Sequence, residues 1–220
     1  MTEVQHPHSA THVVSVRDLS FGFAERQPRL FDGWSHVFSR GLTWLKGGNG
    51  VGKSTLLRLL AGTQDGYDGH IAVLGHDERQ QPADFRKEVF YCGAAGMPVG
   101  YLSVVDYFLV LKQLYPRFDV VAWRRHISGF QLDLLLSSPI RALSLGAQRK
   151  VWLAAALSVG SSVVLMDDPR SALDRQSTAH LLRSLDELAR QGQQAIVIAS
   201  HEDLGPAGAD ARVVVLEDQA

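Results

Sequence analysis

A glycine-rich segment that ends in lysine and two hydroxyl residues is the part of this sequence that points most directly to chemistry. Residues 47–55 read GGNGVGKST and fit the pattern G-x-x-x-x-G-K-[ST]. Glycines let backbone N–H groups converge on a phosphate, the lysine reaches the outer phosphates, and the hydroxyl after it can hold Mg²⁺. The predicted phosphate-binding residues are Gly47, Gly48, Asn49, Gly50, Val51, Gly52, Lys53, Ser54 and Thr55, with Ser54 also a metal ligand.

The surroundings of this segment favour a functional motif over a glycine-rich hairpin that matches the pattern by chance. A short apolar run at 42–45 predicts a strand before the loop, and the leucine-rich stretch at 56–61 predicts a helix after it. A helix that begins at the loop adds the positive end of its dipole to the phosphate site. The sequence therefore predicts a strand, a phosphate-binding loop and a helix in succession.

Two adjacent carboxylates follow an apolar strand-like run at 163–167. Asp167 is the candidate for the magnesium beside the phosphate-binding loop, and Asp168 is placed to orient an attacking water or accept its proton. Taken alone, the pair could equally end a strand in a turn. The phosphate-binding loop earlier in the chain makes the catalytic interpretation the better one.

The order of the predicted elements indicates how these residues are positioned. Strands are predicted at 13–21, 42–45, 71–74, 89–92, 163–167, 195–200 and 212–216, and helices at 56–61, 104–115, 120–130, 146–159 and 175–190. Alternation of strands and helices predicts a parallel sheet covered by helices. The middle of the chain, about 96–145, contains only helices and is predicted to be an insertion into that core.

Composition narrows the class of protein but names no partner. The chain has 220 residues, 45% of them hydrophobic and 20% charged, which suits one globular unit. The formal charge is −1, with Lys and Arg spread along the chain, so neither a nucleic acid nor an anionic membrane surface is indicated. The single cysteine, Cys92, excludes an internal disulfide and is expected to be a buried small side chain in a reducing compartment.

The sequence shows no signal for membrane insertion or secretion. Its apolar runs are shorter than the roughly 18–20 residues needed to span a bilayer. Residues 1–12 are polar, and 1–11 are predicted to be a flexible tail. His6, His8 and the neighbouring His12 are therefore better explained as solvated side chains than as metal ligands.

The order of the motifs resembles that of ATP-binding cassette (ABC) ATPases. The phosphate-binding loop is followed by LSLGAQ at 143–148, the strand ending at Asp167, SALD at 171–174 and finally His201. The resemblance covers nearly the whole chain, and the combination of LSLGAQ with SALD is its most specific part. It implies an α/β P-loop NTPase fold in one domain, 1–220. This fold has a RecA-like parallel core, an N-terminal antiparallel β sub-domain and an inserted α-helical sub-domain.

Further site residues are implied by the resemblance. Two cassettes would pack head to tail, so that Ser144 and Gly146 of one cap the γ-phosphate bound by the other, while Asp174 crosses the interface. His201 would contact the γ-phosphate and the attacking water, and Phe23 would stack on adenine. Without the resemblance, Ser144 and Asp174 would pass for ordinary helix caps, and Phe23 for a core residue.

Two departures from the family pattern bear on activity. Asp168 stands where most active members have glutamate, which predicts slow hydrolysis because the carboxylate reaches about 1.5 Å less far. The segment that would carry the magnesium-sensing glutamine offers only Ala94 and Ala95. Ala147 also replaces the last glutamine of the signature, as in some exporter-like cassettes.

The resemblance implies a subunit that binds ATP and Mg²⁺ and hydrolyses ATP to drive a membrane transporter, with an exporter favoured. Its expected partners are integral membrane subunits and a second cassette, in a homodimer or a heterodimer. The expected location is cytoplasmic, on the inner face of the cell membrane. Two alternatives remain, a weak or inactive cassette that uses ATP as a dimerising ligand and a soluble ABC ATPase.

Overall fold

The computed structural model describes residues 12–23, 29–93 and 99–217. The predicted tail at 1–11 and the residues Ala94 and Ala95 lie outside this part. The strands are β1 (His12–Phe21), β2 (Phe31–Ser39), β3 (Gly41–Lys46), β4 (Asp68–Val73), β5 (His76–Asp77), β6 (Val89–Cys92), β7 (Val163–Asp167), β8 (Ala195–Ala199) and β9 (Arg212–Val215). The helices are α1 (Lys53–Leu60), α2 (Pro82–Glu88), α3 (Val104–Leu114), α4 (Val120–Gly129), α5 (Leu145–Ala156), α6 (Arg175–Gln191) and α7 (Pro206–Ala209).

Five strands form a parallel sheet in the order β6-β7-β8-β3-β9. Every residue of β7 and β8 is buried, which explains why both strands read as continuous apolar runs. Helices cover one face of this sheet, where α3, α4, α5 and α6 contribute to a common core. The predicted α/β core is thereby confirmed.

The other four strands form a second sheet in the order β2-β1-β4-β5, with antiparallel pairing throughout. Its inner face shares a second core with α1 and with the opposite face of the parallel sheet. This arrangement confirms the predicted antiparallel sub-domain near the N-terminus. Strands β2 and β5 were not predicted from the sequence.

Four of the described α-helices begin at a polar side chain that caps them. The side chains of Ser103, Asp119, Ser144 and Asp174 accept hydrogen bonds from backbone N–H groups at the starts of α3, α4, α5 and α6. The structure also corrects three predicted bounds: α1 begins at Lys53, within the phosphate-binding loop, β4 runs over Asp68–Val73 instead of 71–74, and α5 ends at Ala156, before the predicted 159.

Between β6 and β7, the described residues form α3, α4, two short 3₁₀ turns and α5. This agrees with the predicted helical insertion, whose bounds of about 96–145 remain a prediction. No helix in 12–23, 29–93 or 99–217 is long and apolar enough to cross a bilayer.

Candidate nucleotide-binding site

Three neighbouring strands of the parallel sheet deliver the predicted site residues to one edge. The phosphate-binding loop follows β3, Asp167 and Asp168 lie at the end of β7, and His201 lies just after β8. Since β7, β8 and β3 are adjacent and parallel, their carboxyl ends meet. They border a cavity of about 420 Å³ that is lined by Phe23, Leu30, Asn49, Gly50, Gly52, Lys53, Ser54, Thr55, Arg58, Asp167, Asp168 and His201.

Close packing around the loop fixes the shape of this cavity. Val51 is 3% exposed and belongs to the core shared by the two sheets. At Gly47, where φ is +152°, an added Cβ would lie 2.6 Å from the backbone oxygen of Leu216. Gly52, with φ at +104°, would place a Cβ 2.9 Å from Leu30. The loop conformation therefore requires glycine at both positions.

Lys53 is fixed within the loop that precedes it. Its Nζ donates hydrogen bonds to the backbone oxygens of Gly47, at 2.8 Å, and Gly48, at 2.7 Å. An ammonium has three N–H donors, and these bonds use two. Burial lowers the pKa of Lys53, while Asp168 and Asp167 favour its charged form. The result is a cation held in the wall of the cavity, where a phosphate would need it.

Ser54 and Asp167 form the oxygen pair expected of a magnesium site. Ser54 lies close enough to the Asp167 carboxyl group to lower its pKa, and Asp167 is 4% exposed. Burial raises the pKa of Asp167 and the neighbouring Asp168 carboxylate raises it further, whereas Ser54, Arg149 and Arg58 oppose the shift. Hydroxyl and carboxylate oxygens are hard ligands that suit Mg²⁺ when phosphate oxygens and water complete an octahedron. The residues present thus fit a Mg²⁺–nucleotide complex.

Asp168 has an unusual backbone for a residue with a side chain. Its φ is +42°, in the left-handed region that aspartate and asparagine tolerate better than most residues. Its N–H donates to the Ala199 oxygen at 2.8 Å, and its own oxygen accepts from Arg149 at 2.8 Å. The direction of the Asp168 carboxylate is therefore set by contacts with β8 and α5.

The sequence left two roles open for Phe23, packing in the core or stacking on adenine. The structure places Phe21 in the core and Phe23 at the cavity. Phe21 is 4% exposed and belongs to the core shared by the two sheets. Phe23 is 43% exposed, lines the cavity and meets Phe21 edge to face, with ring centroids 5.1 Å apart. Its position suits an aromatic that packs on a flat base.

Besides Gly47, Gly48 and Val51 of the loop, three predicted residues from later motifs, Ser144, Gly146 and Asp174, do not line this cavity. Ser144 is exposed and caps α5 by accepting the N–H of Ala147 at 3.2 Å. Asp174 caps α6 through the N–H of Ser177 at 2.8 Å, and it pairs with Lys150 at 2.6 Å.

The sequence analysis missed three residues at the site. Leu30 and Arg58 line the cavity, and neither lies in a recognisable motif. Arg149 is buried beneath the ends of β6 and β7, where it donates to the backbone oxygens of Gly93, Asp167 and Asp168. The sequence signal for Arg149 was a basic residue on the inward face of a predicted helix, but the neighbouring sequence does not show which groups it contacts.

Comparison with known proteins identifies the family. The ABC transporter family model matches residues 35–171, which include the phosphate-binding loop, the LSLGAQ segment and both carboxylates. The chain belongs to the ABC transporter family. The predictions of an ABC fold and an ABC-type ATP hydrolase are confirmed by this membership.

Among curated ABC relatives, the cytochrome c biogenesis ATP-binding export protein CcmA of Legionella pneumophila is 30% identical over 197 residues, which is 87% of this chain and 94% of CcmA. The molybdenum import ATP-binding protein ModC of Hahella chejuensis is 32% identical over 185 residues, or 81% of this chain. The chain spans about half of the length of ModC, at 51%.

Solved ABC cassettes share the fold. An ATP-binding subunit of an ABC transporter superimposes with a TM-score of 0.81 at 24% identity, over 94% of this chain and 88% of that one. A dimeric bacterial ABC transporter cassette gives a TM-score of 0.76 at 17% identity, over 93% and 94% of the two chains. At these identities the comparison establishes the ABC cassette architecture.

Proposed function

We propose that this chain is the ATP-hydrolysing subunit of a membrane transporter and works as one of two cassettes that close around Mg²⁺–ATP. The observation that carries the proposal is the single cavity in which the phosphate-binding loop, the Asp167–Asp168 pair and His201 meet. These groups supply a phosphate cradle, a magnesium ligand and candidates to orient water. Together they suit phosphoryl transfer to water.

Each residue has a defined task in this proposal. Lys53 and the loop N–H groups bind the β- and γ-phosphates, and Ser54 and Asp167 hold Mg²⁺, which supplies charge neutralisation for the transferred phosphoryl group. Asp168 orients the attacking water or accepts its proton, and His201 lines the same cavity. Phe23 packs against the adenine ring.

The proposed dimer is supported by predicted site residues that do not line the cavity of their own chain. Ser144 lies exposed at the start of the 12-residue helix α5, beside Gly146, and Leu145 between them is 79% exposed. A helix start with an exposed hydroxyl, whose O–H can still donate, suits an anion presented by a second cassette. Asp174 belongs to the same contact surface, and the partner is a second copy or a related cassette.

The membrane partner is proposed from the relatives. CcmA and ModC are an export and an import protein by name, and this chain spans 94% of the length of the first. That coverage favours an exporter, with this subunit on the cytoplasmic face. ATP joins the closed pair of cassettes and ADP does not, so the membrane subunits experience the difference in affinity between the two states.

A second candidate is a cassette that hydrolyses ATP poorly and uses it mainly as a dimerising ligand. Asp168, with one methylene fewer than the glutamate of most active members, supports it. ATP turnover distinguishes the two candidates, because Lys53→Ala abolishes a genuine turnover and leaves a contaminating activity unchanged.

The test of the transporter role is affinity purification of the tagged chain from detergent-solubilised membranes of its native host, with mass spectrometry of co-purifying proteins. The expected result is a polytopic membrane protein in stoichiometric amount, recovered with both the wild type and Lys53→Ala. A chain that stays entirely in the soluble fraction without such a protein would contradict the proposed role.

A further inference from the structure

Arg149 connects the ends of two strands to the helix that precedes β7. It lies in α5 and is 8% exposed. One terminal nitrogen donates to the Gly93 oxygen and approaches the Cys92 sulfur at 3.8 Å. The other donates to the oxygens of Asp167 and Asp168. The guanidinium group therefore joins the carboxyl end of β6 to that of β7.

The chemistry of these contacts is specific to arginine. Within the described residues, Arg149 forms its hydrogen bonds with backbone oxygens and a thiol, and none of the ion pairs includes it. A guanidinium is planar, keeps its charge when buried and presents donors in a fixed fork. A lysine at this place would keep the charge, but a single ammonium cannot hold both strands in the same geometry.

The contacts of Arg149 with the ends of β6 and β7 are called the Arg149 clamp below. The backbone of Asp168 depends on this clamp. A left-handed conformation costs a residue with a side chain on the order of 1–2 kcal/mol, so it persists where surrounding contacts impose it. At Asp168 the N–H donates to Ala199 of β8, and the oxygen accepts from Arg149 and, at 3.0 Å, from the Ser171 N–H. Loss of the Arg149 contact leaves the turn bond to Ser171 but removes the link between this oxygen and α5, which allows the peptide plane and the carboxylate to shift.

The position of Arg149 in α5 gives the clamp a further connection. The same helix begins at Ser144, which is exposed, and Gly93 is the last described residue before Ala94 and Ala95. We propose that Arg149 is a positioning residue for hydrolysis, whose two-pronged contact holds Asp168 and Gly93 in fixed relation to the helix that begins at Ser144. The proposal rests on the proposed ATPase function.

Arg149→Lys is the main test variant because it keeps the charge, and Arg149→Met, which removes it, is the second. Arg125→Lys is the matched control, since Arg125 lies on α4 and forms an exposed ion pair with Glu187 at 2.9 Å. Steady-state ATP hydrolysis is measured, with kcat expressed per nucleotide-binding site counted by titration with a fluorescent ATP analogue. This count removes any contribution from unfolded protein.

For both Arg149 variants we expect kcat per site to fall by about ten- to a hundredfold with KM changed less than about twofold, since displacement near a reacting centre by about 1 Å has that effect. The Arg125 control keeps the wild-type kcat. A wild-type kcat per site in Arg149→Lys, or a KM that rises as much as kcat falls, would overturn the role in hydrolysis.

Hydrogen–deuterium exchange provides a readout that does not need turnover. In Arg149→Lys, peptides covering the ends of β6 and β7 should exchange faster than in the wild type and in Arg125→Lys. Unchanged exchange at both ends would overturn the clamp itself. A wild type without turnover would instead refute the proposed function, and with it the role in hydrolysis, while the exchange result still decides whether the clamp exists.

Discussion

Asp168→Glu is the substitution that best tests the proposed chemistry, because it alters the reach of one carboxylate without adding a new group. The backbone of Asp168 is held by the Ala199 oxygen on one side and by Arg149 and the Ser171 N–H on the other. An added methylene therefore extends the side chain by about 1.5 Å into the cavity instead of being absorbed by the backbone.

Two opposing effects follow, and they appear in different measurements. Glutamate tolerates the left-handed backbone of Asp168 less well than aspartate, so the variant should lose about 1 kcal/mol of folding stability. That strain is present in both the ground state and the transition state and does not change the barrier. Better alignment of about 1 Å can raise the rate on the order of a hundredfold, equivalent to about 2.7 kcal/mol.

The assay is phosphate release under saturating Mg²⁺–ATP for the wild type, Asp168→Glu and Asp168→Asn, with thermal unfolding of all three. We expect the order Glu, then Asp, then Asn in kcat, and a lower melting temperature for the glutamate variant. If the glutamate variant is no faster than the wild type, the argument from reach is wrong. Equal rates for aspartate and asparagine would remove Asp168 from the reaction.

Three further outcomes are expected. Asp174→Ala should cost about 1 kcal/mol in urea unfolding because it removes the cap that binds the Ser177 N–H, whereas Asp174→Asn keeps the cap; equal losses would contradict this. Burial, with smaller contributions from Arg125 and His180, lowers the pKa of His126 from 6.5 to about 3, so the unfolded chain takes up the proton first. The free energy of unfolding should be highest above pH 6.5 and fall by about 1.5 kcal/mol from pH 6.5 to 5. In His126→Gln it should depend less on pH. An equal pH dependence in the wild type and the variant would refute the assignment. Gly52→Ala should abolish binding of a fluorescent ATP analogue, because the new Cβ would lie 2.9 Å from Leu30 at a φ of +104°, and wild-type affinity would show that the loop tolerates a side chain there.

The sequence predicted those parts of the fold whose signals are local. Strands β7 and β8 are buried on both faces and read as unbroken apolar runs, so their bounds were found almost to the residue. Helix α2 was missed because Phe85 is its only buried residue, which leaves no apolar periodicity. Strand β2 was missed because buried residues lie only near its two ends, at Phe31 and Phe38.

The same distinction applies to the candidate site. The phosphate-binding loop is a motif of nine successive residues, so the sequence alone was enough to locate it. Arg149 binds oxygens that are 56, 18 and 19 residues away, and such partners are set by how α5 packs on the sheet. Ser144 and Asp174 cap helices in the structure, and their roles at a dimer interface remain predictions.

The order of the parallel sheet also bears on how the site withstands damage. The strands that lead to the phosphate-binding loop, the carboxylate pair and His201 are its three interior strands, whereas β6 and β9 lie at its edges. Interior strands are the last parts of a domain to open by local unfolding. Fraying that begins at the far end of an edge strand therefore leaves the three strands that carry the phosphate-handling groups paired with one another.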